Sequence, residues 1–253
     1  MNRYGAGMAL ALGYLCLGLL SCRSRTPPPA SLQQGIPAAY ADRPQLRGKA
    51  LVELELQTAK AGVGKVILEL HGEAAPLTAG QFVDLVRRGF YNGLTFHRVE
   101  KDPQPFVVQG GDPRGDGTGG ATEPGSNRIR TLPLEIQVRG EPYPRYNTLI
   151  EDPITLRQLV LPHRLGAVAM ARSSPLDSAS SQFYISLSAL PILDGRYAVF
   201  GYVIEGMEWV DQIQVGDVIR SARVIEGEEW LVVEAAASRQ QEQEQQTRDP
   251  NRL

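Results

Sequence analysis

The sequence contains few of the residues that bind metal ions or form disulfides. Its 253 residues include two cysteines and three histidines. Both cysteines, Cys16 and Cys22, lie near the amino terminus, so no disulfide can form within the rest of the chain. The histidines, His71, His97 and His163, include no pair at helical spacing, which argues against a zinc centre. We therefore expect no metal site.

A large excess of charge of one sign is also absent. The chain has 26 Lys and Arg residues and 28 Asp and Glu residues, which gives a formal net charge of −2. Proteins that bind nucleic acid usually carry clustered Lys and Arg on a strongly basic domain, so we expect no nucleic-acid partner. The apolar fraction of 42% and the charged fraction of 21% are ordinary for a globular protein. They exclude a mostly disordered chain and a polytopic membrane protein.

Charged residues are missing from residues 4–22, an apolar stretch that follows Arg3. A short positive region before an apolar segment is typical of a secretory signal. The stretch ends in Leu-Leu-Ser-Cys at Cys22, which resembles the lipidation signal of bacterial lipoproteins. We predict a signal peptide over residues 1–22, lipidation of Cys22 and an extracytoplasmic lipoprotein anchored to the membrane, on the periplasmic or cell-envelope side. An uncleaved transmembrane anchor and ordinary secretion remain alternatives.

Composition divides the rest of the chain into three parts. Residues 23–47 are rich in proline and have no useful apolar period, which predicts an extended tether. Residues 238–253 are polar throughout and cannot bury a face, which predicts a disordered tail. The working domain is therefore expected over residues 48–237.

Short apolar segments of the length of a β-strand recur along this domain. Residues 52–56 alternate apolar and polar side chains, and the mostly apolar residues 66–70 follow after two glycines, which predicts two strands of a hairpin. Thr78, three residues before Gln81 and ahead of an apolar run, predicts the N-cap of an amphipathic helix. Further short strands are predicted at 94–99, 106–109, 167–171, 183–187, 199–203 and 231–234, and a second helix at 207–213. Many short strands with two helices favour a β-barrel or sandwich.

Two segments invite catalytic interpretations that their surroundings do not support. The glycine-rich segment 110–120 fits the dinucleotide-binding pattern by its letters, but the residues after it cannot begin the required helix. The serine-rich segment 173–181 has no Gly-x-Ser-x-Gly elbow and no Asp–His pair placed to activate a serine. We interpret both segments as tight loops.

Six motifs in a fixed order resemble the cyclophilin family of peptidyl-prolyl cis-trans isomerases over nearly all of residues 63–234. They are Phe96-His-Arg-Val99, Phe106-Val-Val-Gln-Gly-Gly-Asp112, Gly117-Thr-Gly-Gly120, Gly166-Ala-Val-Ala-Met-Ala171, Ser181-Gln-Phe-Tyr-Ile185 and Leu193-Asp-Gly-Arg-Tyr-Ala-Val-Phe-Gly201. The resemblance implies a mainly β fold, a closed eight-stranded antiparallel β-barrel capped by two helices. It also implies an isomerase that acts on Pro-containing segments of unfolded or exported proteins without a cofactor. We further expect a monomer.

The resemblance also implies the site residues. Arg98 is expected to be the catalytic cation, which contacts the proline carbonyl and the amide nitrogen. Gln109 is expected to hydrogen-bond the substrate backbone, and Phe106 completes the catalytic set. The remaining substrate-binding residues are expected to be Val107, Gly117, Ala171, Arg172, Gln182, Tyr184, Leu193 and Tyr197. His97 is interpreted as structural.

This sequence departs from the commoner family pattern in five places. Three additional residues lie around 100–104, between Arg98 and Phe106. Val107, Arg172 and Ile192 stand where Met, Asn and Trp are frequent, which implies weak cyclosporin binding. Residues 137–160, with a short helix predicted at 155–160, form an insert relative to minimal members.

The leading interpretation is a tethered prolyl isomerase that assists the folding of exported proteins. Two alternatives remain open. One is a catalytically silent module that binds Pro-containing segments. The other is an envelope assembly factor that works through the insert at residues 137–160.

Overall fold

The computed structural model describes residues 35–233. The predicted signal peptide with Cys22 and the predicted polar tail at 238–253 lie outside the described residues. Within residues 35–233, none of the helices is long and apolar enough to cross a membrane.

A long hairpin forms the first part of the sheet. Strand β2 (Lys49–Thr58) pairs antiparallel with strand β3 (Gly62–His71) over their whole length. Val52, Leu54 and Leu56 are buried, and the glutamates between them face outward. The predicted hairpin is confirmed, because alternating side chains point to opposite faces of a strand.

The hairpin belongs to an eight-stranded antiparallel sheet. The order of its strands is β11-β2-β3-β10-β8-β9-β5-β4. The other members are β4 (Phe96–Glu100), β5 (Val107–Gly110), β8 (Ala167–Met170), β9 (Phe183–Ser186), β10 (Val199–Glu205) and β11 (Val218–Glu226). Two further pairs join β1 (Gln45–Leu46) to β12 (Leu231–Val232) and β6 (Glu135–Ile136) to β7 (Arg145–Tyr146).

The two outer strands of this sheet approach each other at one end. A bridge joins Thr95, just before β4, to Val218 at the start of β11. The Gly93 N–H donates to the Ile219 carbonyl over 2.7 Å, and the Ile219 N–H donates to the Leu94 carbonyl over 2.8 Å. These contacts satisfy backbone groups that an open edge would expose. The expected fold class is confirmed as mainly β, with an eight-stranded antiparallel barrel-like sheet.

Strand β11 is the one member of the sheet that sequence patterning missed. Its pairing with β2 shifts register between Ile219 and Ser221, and again between Val224 and Glu226. Each shift inserts a residue that breaks strict alternation of buried and exposed side chains. The alternation that predicted the β2–β3 hairpin is therefore absent here.

The helices differ in length from the predictions. Among the described residues there are three: α1 (Pro76–Arg87), α2 (Pro153–Leu156) and α3 (Met207–Val210). The first packs against β1 and β11, and the third against β3. The second helix predicted at 207–213 thus ends earlier, at Val210, and turns follow it. The short helix of the insert begins at Pro153 rather than at residue 155.

The predicted N-cap of α1 is wrong. Thr78 is fully buried inside the first turn, and the capping position is Ala75, which makes no side-chain bond. The carboxylate of Glu135 serves instead. It accepts from the Leu77 N–H over 3.1 Å and from the Thr78 N–H over 2.8 Å. A helix N-terminus has free N–H groups and a partial positive charge, so a carboxylate from elsewhere in the chain can satisfy it.

The amino-terminal boundary of the domain also needs correction. The tether was predicted to continue to residue 47, but Gln45 pairs with Val232 and Leu46 pairs with Leu231. Leu46 is fully buried in the core. The folded unit therefore includes residues before 48, because β1 and β12 need each other as partners.

Replacing Glu135 with alanine tests its capping role. Glu135→Ala leaves two buried N–H groups without an acceptor, so we expect unfolding free energy to fall by about 2–3 kcal/mol. Urea denaturation followed by circular dichroism measures this loss. The exposed Glu226→Ala is the control and should change stability by no more than about 0.5 kcal/mol. Equal stability of both variants would show that Glu135 does not support α1.

The same residue predicts a pH effect. Burial raises the pKa of the Glu135 carboxyl above its usual value, although the N–H groups of Thr78 and Leu77 oppose the rise. The folded protein then binds the proton more tightly than the unfolded chain. The stability of wild type relative to Glu135→Gln should therefore be greatest below about pH 4.3 and decline as pH rises through the folded-state pKa. Denaturation of both proteins across this range measures the trend, and a rising difference would contradict it.

Candidate active site

A groove with a volume of about 530 Å³ runs across β4, β5 and β9. Its walls combine charged, amide and apolar side chains from distant parts of the sequence. They are His97, Arg98, Phe106, Val107, Gln109, Asp116, Gly117, Ala171, Arg172, Tyr184, Leu193 and Tyr197. All the site residues expected from the sequence lie here except Gln182. Gln182 lines an adjoining depression of about 470 Å³, which shares Gln109 and Arg172 with the groove.

Strand register brings three of these side chains together. Arg98 of β4 lies opposite Gln109 of β5, and Gln109 lies opposite Tyr184 of β9. Residues directly opposite each other on neighbouring strands present their side chains on the same face. A register shift between Phe96 and Arg98, at the start of β4, sets this alignment.

A chain of hydrogen bonds fixes the polar side of the groove. The Arg98 guanidinium donates to Oε1 of Gln109 over 3.0 Å, and Nε2 of Gln109 donates to Oε1 of Gln182 over 3.0 Å. Nε2 of Gln182 in turn donates to the carbonyls of Gly117 and Gly119. Because Arg can only donate, each amide in the chain has one orientation. Gln182 thus links the cation to the glycine-rich loop.

The glycine-rich loop is held from below by Asp112. This carboxylate is buried and accepts from the N–H groups of Arg114, Asp116 and Gly117. Gly117 has a φ of +87°, a conformation that favours glycine. The interpretation of this segment as a tight loop agrees with the structure.

Glu100 is a partner of Arg98 that sequence reasoning missed. Its Oε1 atom lies 2.8 Å from Nε of Arg98, and the two side chains are 47% and 44% exposed. Glu100 ends β4, at the start of the three additional residues. The next residue, Lys101, donates to the carbonyls of Asp211 and Ile213, which fastens the longer loop to the turn after α3. Arg98 is therefore accessible from the groove but partly neutralised.

The other side of the groove is apolar. Val107 and Tyr184 are almost fully buried, and Phe106, Leu193 and Tyr197 pack against them. The rings of Tyr184 and Tyr197 meet edge to face, with centroids 5.9 Å apart. The guanidinium of Arg98 lies 6.0 Å from the centroid of Phe106, where the two sides meet. The groove can thus hold a small apolar ring beside a cation.

Arg172 closes the groove beyond Tyr197. Its guanidinium donates to the carbonyls of Arg196, Ser173 and Ser174. It also lies 5.0 Å from the centroid of the Tyr197 ring. Arg172 therefore joins the serine-rich loop to the loop that carries Leu193 and Tyr197.

Two residues behind the groove were not recognised from the sequence. His163 contacts the Tyr184 hydroxyl over 2.9 Å and the Asp194 carboxylate over 2.8 Å. Asp194 belongs to a motif that was noted, but nothing in the sequence joins it to His163. Burial raises the pKa of the Tyr184 phenol well above its usual value, so the hydroxyl keeps its proton. His97, expected to be structural, lines the groove edge.

Between residues 35 and 233, no group of three or more His, Cys, Asp and Glu side chains is placed to hold an ion.

Comparison with known proteins decides the family. The model of cyclophilin-type peptidyl-prolyl cis-trans isomerases matches residues 53–231. The chain belongs to this family. The match covers every residue that lines the groove, the whole of β3 and β2 from Glu53 onward. The motifs read from the sequence thus belong to one domain of known type.

Three similar proteins illustrate the match. A Synechocystis protein named as a thylakoid lumen peptidyl-prolyl cis-trans isomerase is 41% identical over 78% of this chain. The chloroplastic isomerase CYP38 of Arabidopsis thaliana is 39% identical over 78%. A Cryptosporidium parvum cyclophilin solved in the presence of the dipeptide Ala-Pro is 26% identical over 69% of this chain and 99% of its own, with a TM-score of 0.51. The chain spans about half the length of the two curated relatives, 52% and 47%.

The partial neutralisation of Arg98 by Glu100 can be measured. We expect Glu100→Gln to tighten binding of an Ala-Pro-containing peptide by up to about fivefold, because a half-exposed ion pair contributes at most about 1 kcal/mol. Peptide titration followed by NMR at low salt gives the dissociation constant, and about 1 M salt should abolish the difference by screening.

Glu69→Gln is the matched control. It removes an exposed carboxylate that pairs with Lys49, away from the groove, so it should leave peptide binding unchanged. Weaker binding by Glu100→Gln would show that Glu100 orients Arg98 rather than competing for it.

Proposed function

We propose that this chain is a peptidyl-prolyl cis-trans isomerase that accelerates rotation about X-Pro bonds during the folding of exported proteins. The observation that carries the proposal is the groove in which Arg98, bonded to Gln109, stands opposite an apolar wall. The relatives named as isomerases support it. The Ala-Pro dipeptide used with the Cryptosporidium neighbour agrees with the class of substrate.

Such a reaction needs no reactive group. The barrier to rotation of a peptide bond is ~18–20 kcal/mol, and the cis and trans forms of an X-Pro bond differ by only about 0.5–1 kcal/mol. Rotation makes and breaks no covalent bond. Catalysis requires that the twisted amide be bound more tightly than either planar form.

Arg98 is suited to favour the twisted amide. A guanidinium has five N–H donors, and the contacts with Glu100 and Gln109 use up to three of them. The others can reach the proline carbonyl and the amide nitrogen. That nitrogen gains a localised lone pair as resonance is lost, so donation to it strengthens in the transition state.

The remaining walls hold the substrate still while the bond rotates. The apolar cluster of Val107, Tyr184 and Leu193 accepts the proline ring and excludes water from it. Gln109 uses one amide hydrogen on Gln182, which leaves the second for a substrate carbonyl. Ala171 and Gly117 border the segment of peptide that precedes the proline.

We further propose that the protein works outside the cytoplasm, anchored through a lipid on Cys22. The apolar segment before Cys22 supports this. So does the relative named for the thylakoid lumen. Intact-mass analysis of the mature amino terminus distinguishes the cases. A chain that begins at Cys22 with added lipid mass supports the anchor, and an unmodified or uncleaved terminus overturns it.

A silent peptide-binding module is the second candidate. It is favoured by one observation: the Glu100 carboxylate already binds N–H groups of the Arg98 guanidinium.

An assembly factor working through residues 137–160 has weaker support. Much of the insert packs into a cluster with Leu134 and Ala198, through Val138, Ile150 and Leu159. Ile154 is exposed, so Ile154→Asp tests this alternative by loss of partner capture without loss of isomerase activity.

A proline-limited refolding assay on the full chain tests the enzyme. We expect Arg98→Ala to lower kcat/KM at least about 100-fold, the effect of removing a donor aimed at the transition state. Arg220→Ala is the matched control, because Arg220 is an exposed arginine of β11 that pairs with Glu55 of the neighbouring strand β2. If wild type and Arg98→Ala accelerate refolding equally little, the isomerase proposal fails. Retained peptide binding would then support the silent module.

A further inference from the structure

A buried chain of three side chains lies behind the proline pocket. The imidazole of His163 has its Nδ1 atom 2.8 Å from Oδ1 of Asp194 and its Nε2 atom 2.9 Å from the hydroxyl of Tyr184. The side chain of His163 is 1% exposed, and that of Asp194 is 12% exposed. The rings of His163 and Tyr184 are nearly parallel, at 13°. No part of the mechanism above uses His163 or Asp194.

In a neutral imidazole one ring nitrogen donates and the other accepts, so Asp194 sets the direction of both hydrogen bonds. An ionised carboxylate only accepts, so Nδ1 of His163 carries the ring proton and donates it to Asp194. Nε2 then has a free lone pair, which accepts from the Tyr184 hydroxyl. Burial raises the pKa of Tyr184 and keeps that hydroxyl protonated, which agrees with its role as donor. Every polar atom of the imidazole is thus satisfied.

The backbone of His163 holds the neighbouring loop as well. Its N–H donates to Oδ1 of Asp194 over 2.8 Å, and its carbonyl accepts from the Leu190 N–H over 2.8 Å. Leu190 and Asp194 flank the short 3-10 helix Pro191–Leu193, which carries a wall of the pocket. His163 therefore binds both ends of the segment that places Leu193.

His163 consequently connects two walls of the same pocket. Tyr184 forms one wall, on β9, and Leu193 forms the other, on the loop. Their surroundings are the apolar cluster that includes Val107 and Leu190. Polar groups buried among apolar ones are unfavourable unless all of them are bonded, and a fully bonded set specifies one arrangement. The hydrogen bonds of Asp194, His163 and Tyr184 therefore fix the distance between the two walls.

We propose that His163 is a positioning residue of the isomerase site, which sets the Tyr184 ring and Leu193 at the spacing that a proline ring requires. The proposal rests on the proposed function, since it assumes that proline occupies this groove. His163 touches no substrate in this scheme. It acts through Asp194 on one side and through the Tyr184 hydroxyl on the other.

Three variants separate the parts of the chain. His163→Leu removes both side-chain bonds, and we expect the dissociation constant for an Ala-Pro-containing peptide to rise about tenfold. His163→Asn keeps a donor near the Nδ1 position for Asp194 but cannot reach Tyr184, so the expected rise is about threefold. Tyr184→Phe removes the same bond from the other side and should match it. The peptide titration is followed by NMR on the full chain.

Combining substitutions gives the decisive signature. His163→Asn together with Tyr184→Phe breaks one hydrogen bond twice, so the double variant should bind no more weakly than either single variant. If the two effects multiply, the proposed link is absent. NMR exchange spectroscopy measures the rate of cis-trans exchange of the bound peptide. In these variants KM should rise more than kcat falls, because Arg98, which acts on the twisted amide, is unchanged. A residue with only a structural role would lower the melting temperature and leave the dissociation constant unchanged.

Controls cover loss of folding and failure of the proposed function. Thr58→Val removes the two hydrogen bonds of another buried polar side chain, which lies at the end of β2 beside the turn to β3 and outside the lining of the groove, and it should leave peptide binding unchanged. If His163→Leu does not fold, the dissociation constants of His163→Asn and Tyr184→Phe decide whether His163 positions the pocket. If wild type binds the peptide but is no faster than Arg98→Ala, the isomerase proposal fails while the binding series still tests His163. If wild type does not bind the peptide, both proposals fall.

Discussion

The alignment of β4, β5 and β9 is the constraint on which the groove depends. Backbone pairing sets Arg98 beside Gln109 and Gln109 beside Tyr184, so the cation, the amide and the apolar wall lie on one face. A slip of one residue would turn every side chain of a strand to the other face. The bonds from Gln109 to Gln182, and from Gln182 to the glycine-rich loop, act within that alignment.

Support for the groove comes from segments far from it in the sequence. The insert at residues 137–160 reaches the loop behind the pocket, where the Ile150 N–H donates to the Gly195 carbonyl over 3.0 Å. A Cβ atom on Gly195 would lie 2.1 Å from the Ile150 carbonyl oxygen, so only glycine permits this contact. Glu151 pairs with Arg196 in the same region. The insert is thus joined to the wall that carries Leu193 and Tyr197.

Three buried polar side chains in this domain have the same role: their hydrogen bonds hold a helix, a loop or a wall of the groove in position. Glu135 and His163 bind groups from distant segments of the chain, and Asp112 binds backbone N–H groups of the loop that directly follows it. Such groups would be unfavourable in the core if they were unpaired. Paired, they hold α1, the glycine-rich loop and the apolar wall of the groove in place. A reaction that only rotates a bond depends on this fixed geometry, because no reactive group can compensate for a displaced wall.

The sequence by itself determined the β2–β3 hairpin, most strands of the sheet and, through the family motifs, ten of the twelve residues that line the groove, all except His97 and Asp116. Alternation and the residues of each motif are local properties, so both can be read from the sequence alone. Only the tertiary structure decided that Glu135 caps α1, that β1 pairs with β12 and that His163 joins Tyr184 to Asp194. Strand β11 escaped prediction because its bulges erase the alternating pattern. These features depend either on contacts between residues that are distant along the chain or on register shifts. Neither produces a periodic pattern of apolar residues that the sequence would show.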